Sequence, residues 1–359
     1  MSKILGVAST PYHLLVFLFI KDAYLSGDEV DLVITDKTAS MEELYHSGRL
    51  NPYFHRVIFA DGRKIKNPYK NALTTFYESF IYNKTTDVIV DQKLDTYDEM
   101  YFASPGLPDE IVKEIAKTLI KKNKKIRFHR FEDGFASYTK KTVHVVSTDL
   151  GMKMYKLLWH YDVRQMEQDI YMFEPEMAED TVVFEKKRIE KTPERIERII
   201  GWAKDIFRFE AHVPDEKYIF LGQGTENGSQ NPETYQKLIR RLRDIAGDDN
   251  FIIKPHPRGT YDDFHGELHV YRDSCPFELA IASGKYEDKT LISFYSTACV
   301  AGKLLFQSKC RIIFLYPLAE DSFNEKCDYE HYFAAFSSLC DGVYIARSWE
   351  EVERLCAQD

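Results

Sequence analysis

Short apolar runs alternate with longer amphipathic stretches along the whole chain. In its first part, buried strands are predicted over residues 3–8, 31–35 and 55–60. A helix is predicted over residues 13–23, because Ser9 and Thr10 offer hydroxyl caps and Pro11 stands near the first helical position. Strand, helix and strand in this order predict the opening of a parallel α/β sheet.

The same alternation continues to the end of the chain. Further strands are predicted over residues 99–103, 126–131, 218–221, 251–253, 269–271, 290–294, 311–315 and 342–345. Further helices are predicted over residues 109–122, 232–245, 297–305 and 349–356, with another that starts at Pro276. Residues 185–209 are charged and amphipathic, which predicts a helix without strand signals. Residues 150–175 are rich in methionine and tyrosine and are interpreted as a packed connector.

Two domains are expected, since 359 residues supply material for two cores. The alternation predicts two doubly wound, Rossmann-like α/β domains that face a central cleft. The boundaries are placed at residues 1–190 and 216–359, the second domain ending in a helix, with a helical connector over residues 191–215. Several enzyme classes share this architecture, so it does not decide the function.

Polar groups suited to a phosphate follow four elements of the second half. They are Gly222, Gln223 and Gly224, the run Lys254, Pro255, His256, Pro257 and Arg258, then Glu278, and finally Ser296 with Thr297. Carboxyl ends of strands and amino ends of helices share one edge of a doubly wound sheet. Glycines allow close backbone approach, and cations and helix N-termini suit phosphate. Together these groups predict a nucleotide site, although a proline-rich turn at His256 and a helix-dipole role for Glu278 are the structural alternatives.

Two motifs of the first half also stand where strands end. Glu132, Asp133 and Gly134 follow the strand predicted at 126–131. Adjacent carboxylates repel, which raises the pKa of one of them, so that it can serve as a general base. An ordinary Asp-Gly turn is the alternative. The hydroxyls of residues 9 and 10 could hold a polar ligand or only cap the helix. No Gly-x-Gly-x-x-Gly fingerprint follows the first strand, which argues against a dinucleotide there.

Charge and cysteine usage narrow the classes of partner. The net charge of −9 does not favour nucleic acid. Basic runs at 121–125 and 186–188 are interpreted as solvated, with attraction to an anionic membrane surface as the alternative. The six cysteines show no Cys-x-x-Cys spacing, so zinc is not expected. Cys299 and Cys310 are predicted to be buried thiols, which fits a reducing cytoplasm.

The apolar stretch at residues 4–20 is interpreted as part of the fold. It is interrupted by Ser9, Thr10, Pro11 and His13, and it is too short to span a bilayer. It also lacks the basic segment and cleavage site of a secretory signal. A cytoplasmic protein is therefore expected, with association at the inner face of the membrane left open.

Three motifs resemble those of bacterial sialyltransferases in their order and context. They are the acid-acid-Gly motif at 132–134, the His-Pro pair at 256–257 and the Ser-Thr pair at 296–297. The sequence looks most like the lipooligosaccharide sialyltransferase type, glycosyltransferase family 52, from about residue 4 to residue 345. This resemblance implies a GT-B fold, a CMP-sialic acid donor, and no required metal or other cofactor. It also implies a galactose-terminated acceptor of lipooligosaccharide or capsule and a single inverting displacement.

The resemblance implies a role for each candidate residue. Asp133 would be the general base, and His256 would contact and stabilise the departing CMP phosphate. The remaining donor-side residues would be Gly222 and Gln223 near the nucleotide, Lys254 and Pro255 along the cytidine pocket, Glu278 at the ribose, and Ser296 and Thr297 at the phosphate. The acceptor side would include Ser9, Thr10, Pro11, Glu132 and Gly134. Glu226 and Glu233 are alternative bases.

Two other functions are weighed against this one. A GT-B hexosyltransferase or epimerase would use a UDP-sugar, which favours more basic residues around the diphosphate than this sequence offers. A nucleotide-sugar-binding protein of capsule assembly would bind CMP without turnover. The sequence leaves open the linkage, 2,3 or 2,6, and whether the protein is a homodimer.

Overall fold

Two parallel sheets, one in each half of the chain, form the framework of the protein. The computed structural model describes residues 1–65, 89–103, 109–139, 169–179, 184–208, 212–222, 232–256, 266–271, 276–319 and 330–357. The chain divides into two units, Met1–Arg208 and Phe209–Asp359. No helix within these described ranges is both long enough and apolar enough to cross a membrane.

The first unit contains a seven-stranded sheet in the order β3-β2-β1-β4-β5-β6-β7. Its strands are β1 Lys3–Ala8, β2 Glu29–Thr35, β3 Arg56–Ala60, β4 Glu99–Ala103, β5 Arg127–Phe131, β6 Asp169–Met172 and β7 Glu185–Arg188. Every neighbouring pair is parallel. The strand order reverses between β1 and β4, and such a switch point is where open α/β sheets bind ligands.

Helices of the first unit cover this sheet. Within the described residues they are α1 Pro11–Tyr24, α2 Ala39–His46, α3 Glu110–Lys122 and α4 Pro193–Phe207. Helix α1 is buried from His13 to Ile20, and the Thr10 side chain caps it by accepting a hydrogen bond from the His13 amide. Gly6 lets this helix approach β1, since a Cβ there would lie 2.1 Å from Phe17 Cε1.

The second unit contains a five-stranded sheet in the order β12-β11-β10-β8-β9. Its strands are β8 Tyr218–Leu221, β9 Phe251–Lys254, β10 Thr290–Ser293, β11 Arg311–Phe314 and β12 Val343–Ile345. The helices in the part of this unit that the structure describes are α5 Pro232–Ala246, α6 Phe277–Ala282, α7 Thr297–Phe306, α8 Glu330–Leu339 and α9 Trp349–Ala357. All strand pairs are parallel, and the order reverses between β8 and β10. Cys299 and Cys310 are buried free thiols, as predicted.

The sequence analysis was wrong over several segments. Residues 185–188 form β7 and not the start of a helix, and α4 groups with the first unit and packs on α1. The segment interpreted as a connector contains β6, and residues 269–271 contribute an isolated bridge at Val270 in place of a strand. Strand β7 was not predicted because its sequence, Glu-Lys-Lys-Arg, carries no apolar signal. Charged residues are common on an edge strand such as this one.

Candidate active site

Two loops meet at the carboxyl edge of the first sheet. One follows β1 and opens α1, and the other follows β5 with Glu132, Asp133 and Gly134. Strands β1 and β5 lie on either side of β4, so their carboxyl ends are close in space although distant in sequence. The first turn of α1 supplies Tyr12 and His13, and these two side chains contact the two carboxylates.

Glu132 is completely buried and serves the structure of this edge. Its carboxylate accepts hydrogen bonds from the hydroxyls of Tyr12 and Tyr138 and, at 2.8 Å, from the backbone amide of Phe173. Burial raises the pKa of Glu132, although these hydrogen bonds oppose the effect. The expected contact between Glu132 and an acceptor is therefore not available to this enclosed side chain.

Asp133, in contrast, is partly open to solvent, with 32% of its side chain exposed. Its Oδ1 lies 2.6 Å from Nε2 of His13, and its backbone amide donates to Oγ of Ser137 at 2.7 Å. Gly134 follows at a φ of 64°, in the left-handed region that glycine adopts without strain. The turn thus holds one carboxylate at the surface, where it could accept a proton from a ligand.

His13 is a residue of the candidate site that the sequence analysis did not single out. Its ring is only 3% exposed and packs edge-on against Phe131, with ring centroids 6.2 Å apart. Its Nδ1 faces the backbone amide of Ser9 at 3.3 Å. A polar side chain at the start of an otherwise apolar helix was the available signal. Ser9 is buried, and the Thr10 hydroxyl caps α1. Helix capping was the structural alternative weighed for the hydroxyls of these two residues.

The carboxyl edge of the second sheet brings most of the predicted nucleotide residues together. The Gly222 amide donates to the Lys254 carbonyl at 2.9 Å, which joins the ends of β8 and β9. The Ser293 hydroxyl, at the end of β10, donates to the carbonyl of Leu221 at 3.1 Å. It also accepts from the Ser296 amide at 3.0 Å. The ends of the three strands are therefore tied to one another at the switch point.

Helix α7 begins at this edge. Ser296 is its N-cap, since its Oγ accepts from the amide of Ala298 at 3.3 Å, and Thr297 is exposed at the first helical position. Amides at the start of a helix and the adjacent hydroxyls form a favourable environment for an anion.

Lys254, the last residue of β9, places a positive charge at this edge. The Lys254 ammonium lies 5.3 Å from the centre of the Phe277 ring, and Pro255 and His256 are half-buried. Burial raises the pKa of Glu278, and the nearby charge of Lys254 opposes that rise. Gln223, Gly224, Glu226, Pro257 and Arg258 lie outside the described residues. Glu233 is exposed in the first turn of α5.

One group in the described part of the chain could hold a metal ion, formed by Glu29, Asp31 and His55. It lies at the amino ends of β2 and β3, on the edge opposite the two candidate loops. Lys3 contacts Glu29 at 2.6 Å, and Arg56 contacts Asp31 at 2.7 Å. Ion pairs therefore already balance these carboxylates, and the group is not part of the candidate site.

The fold of the chain is similar to the fold of solved glycosyltransferase structures. The chain aligns over 100% of its length with 90% of Arabidopsis thaliana UGT89C1 complexed with UDP, at 11% identity and a TM-score of 0.53. It aligns over 99% of its length with 90% of TcCGT1 in complex with UDP, at 12% identity and a TM-score of 0.50. At these identities the likeness establishes the fold alone, and the predicted GT-B fold is confirmed.

The sequence comparison is more specific. No curated protein sequence matches the chain significantly. The sequence model of the alpha-2,8-polysialyltransferase family matches residues 4–312, which include both candidate loops of the first unit and the ends of β8, β9 and β10. The predicted sialyltransferase relationship is thereby confirmed, and the chain belongs to the alpha-2,8-polysialyltransferase family, whereas the resemblance to lipooligosaccharide sialyltransferases stays a prediction.

Proposed function

We propose that this protein transfers sialic acid from CMP-sialic acid to a glycan hydroxyl in a single inverting displacement. The observation that carries the proposal is the Asp133 carboxylate, held at the carboxyl edge of the first sheet by His13 and partly exposed. Family membership supports sialic acid as the sugar, and the GT-B fold supports glycosyl transfer.

Asp133 is the general base of the proposed reaction. It takes the proton of the acceptor hydroxyl while that oxygen attacks the anomeric carbon of the donor. Glu132 does not compete for this role, because its carboxylate is buried and already accepts hydrogen bonds from three donors. The two adjacent acids therefore have separate functions, one chemical and one structural.

The edge of the second sheet stabilises the leaving group in this proposal. The bond from the anomeric carbon to the phosphate oxygen breaks, and CMP departs with the bonding electrons. The phosphate accepts hydrogen bonds from His256, Ser296 and Thr297. This stabilisation of the leaving group requires no metal ion. Glu278 contacts the ribose, Lys254 and Pro255 line the cytidine, and Gly222 and Gln223 approach the nucleotide.

Two acceptors are consistent with the proposal. The sequence resemblance favours a terminal galactoside of lipooligosaccharide or capsule. The family description favours position 8 of another sialic acid. Both acceptors present a hydroxyl to the same base, so the chemistry assigned to Asp133 does not depend on this choice.

The test is CMP release from CMP-sialic acid with lactose, with an α2,8-linked sialic acid dimer, or with neither. Wild type is compared with Asp133→Asn and His256→Ala. Asp249→Asn and His331→Ala make the same chemical changes at exposed positions and serve as controls. Parallel reactions contain EDTA, or UDP-sugars in place of the donor.

We expect acceptor-stimulated release that survives EDTA and is lost in both site variants but in neither control. Activity that persists in Asp133→Asn would move the base to Glu226 or Glu233. Consumption of a UDP-sugar without CMP release would overturn the donor. Binding of CMP-sialic acid without turnover would indicate a non-catalytic protein.

A further inference from the structure

We infer that His13 is the positioning residue for Asp133, acting as a neutral imidazole that carries its proton on Nε2. This inference rests on the proposed function in so far as Asp133 is the base. His13 lies in the first turn of α1 and Asp133 after β5, and their ring and carboxylate atoms are 2.6 Å apart. Nothing in the local sequence of either residue indicates this contact.

The tautomer of His13 follows from its two ring contacts. The backbone amide of Ser9 has a hydrogen to donate, and it lies 3.3 Å from Nδ1. Nδ1 therefore accepts and carries no proton, so the proton of the neutral ring is on Nε2. Nε2 then donates to Oδ1 of Asp133, whose ionised carboxylate can only accept.

Contacts at both nitrogens and one ring–ring contact hold the His13 ring in place. Its own amide donates to Oγ1 of Thr10 at 3.2 Å, which fixes the first turn of α1. Its edge-on contact with Phe131 places it against the last residue of β5. A buried ring with both nitrogens bonded has little rotational freedom, so the direction of its Nε2–H is set before any substrate binds.

His13 is not itself the base. Both ring nitrogens already have partners, and the ring is 3% exposed, so it does not reach a glycan hydroxyl. Within the described parts of the chain, no hydrogen bond is made to the second carboxylate oxygen of Asp133. The contact with His13 therefore occupies Oδ1 and fixes the orientation of the other carboxylate oxygen. A positioning residue acts on a general base in this way.

Tyr12 and His13 form a two-residue clamp on the acid pair. The Tyr12 hydroxyl donates to Glu132, and His13 donates to Asp133. Consecutive residues of one helical turn thus hold consecutive residues of the strand end. The clamp couples the placement of Asp133 to the placement of α1, whose close packing on β1 depends on Gly6.

The test is a double-mutant cycle between His13→Ala and Asp133→Asn, with His13→Gln and His13→Asn as further variants. Steady-state kinetics for CMP release with acceptor and thermal unfolding are measured for each protein. We expect His13→Ala to lower kcat by about 100-fold with KM unchanged, the scale of a misplaced catalytic group. In the Asp133→Asn background the same change should not lower the residual rate of CMP release any further, because its effect passes through that carboxylate.

Glutamine and asparagine distinguish positioning from packing. The Gln amide reaches the place of Nε2 and should restore most of kcat, whereas the shorter Asn should not. Equal losses for Gln and Ala, or a His13→Ala loss that persists in full beside Asp133→Asn, would overturn the inference while leaving the proposed function intact.

A second measurement does not require turnover. Nitrogen NMR of the His13 imidazole in the wild-type protein should show a neutral ring with its proton on Nε2, and Asp133→Asn should shift that resonance. A ring protonated on Nδ1, or on both nitrogens, contradicts the inference. If the wild type releases no CMP, the proposed function fails, and this spectrum still decides whether His13 holds Asp133 as described.

Discussion

The ring Nε2 of His13 lies 2.6 Å from Oδ1 of Asp133, although 120 residues separate the two in the chain. The contact exists because β1 and β5 lie on either side of β4, so that α1 begins where β5 ends. Two adjacent acids have different environments here, since Asp133 stays partly exposed while Glu132 is completely buried. Four further experiments test neighbouring residues of the first sheet and the carboxyl edge of the second sheet.

Replacement of Glu132 should destabilise the protein. Glu132→Leu leaves the hydroxyls of Tyr12 and Tyr138 and the Phe173 amide without their acceptor. The Tyr138 hydroxyl and the Phe173 amide are buried, and each buried polar group left unsatisfied costs about 1–3 kcal/mol, so we expect the free energy of unfolding to fall by more than about 2 kcal/mol. Urea unfolding measures this. The same change at exposed Glu353 is the control, and an equal effect of both would contradict the structural role.

Gly134 should not tolerate an alanine. Its φ of 64° costs an L-residue roughly 1–2 kcal/mol, and a relaxed turn would also displace the Asp133 carboxylate. We expect Gly134→Ala to lower both stability and kcat, and Gly134→Asn to be milder, since Asn visits this region more readily.

The control for Gly134 is Gly201→Ala in α4, where an added Cβ meets no atom within 4 Å. Alanine there should stabilise the helix by about 0.5–1 kcal/mol without changing kcat. Denaturation and steady-state kinetics on the three variants make the comparison. A Gly134→Ala protein with wild-type stability would show that the turn does not require glycine.

His129 should make the stability of the first unit depend on pH. It is buried between Asp169, 2.9 Å from Nδ1, and Glu99, 3.4 Å from Nε2. Burial favours the neutral ring, but the hydrogen bond to Asp169 and the nearby charge of Glu99 outweigh it and raise the pKa of His129 above 6.5. The contact with His129 is the main cause that lowers the pKa of Glu99 to about 2, against the effect of burial.

The direction of the pH effect follows from these shifts. Protonated His129 contributes its full stabilisation below pH 6.5, and that contribution disappears as the pH rises through the raised pKa. The contribution of Glu99 is lost only as the pH falls towards about 2. Urea unfolding of wild type and His129→Gln, below pH 6.5 and well above it, should show a destabilisation by glutamine that shrinks on the alkaline side. An exposed control, His331→Gln, should leave the pH profile unchanged. A constant difference between wild type and His129→Gln would refute the charged state of His129.

Ser296 should affect both stability and donor binding. Its Oγ caps α7, and loss of an N-cap hydroxyl costs about 0.5–2 kcal/mol. If Ser296 also contacts the phosphate, Ser296→Ala should raise KM for CMP-sialic acid. Thr192 caps α4 in the same way, so Thr192→Ala should match the stability loss and leave KM unchanged. Equal KM values in the two variants would remove Ser296 from the donor site.

Much of the fold was predictable because its signals are local. Strands β1, β4 and β8 have the predicted bounds, and α7 and α9 begin where predicted, since apolar runs, prolines and caps act over a few residues. Strands β6 and β7 and helices α2 and α8 were not predicted. Strand β6 pairs with β5 across a long stretch of chain, so tertiary pairing decided its conformation.

The candidate site also has features that the sequence predicts and features that it does not. The sequence by itself determined that Asp133, His256 and Ser296 follow strands or open helices, because strand ends and helix caps are written in neighbouring residues. Only the tertiary structure decided that Glu132 is buried, that His13 contacts Asp133, and that Ser293 joins the ends of β8 and β10. Burial and pairing depend on the order in which strands lie side by side. That order is set by contacts between distant segments, and no short stretch of sequence contains it.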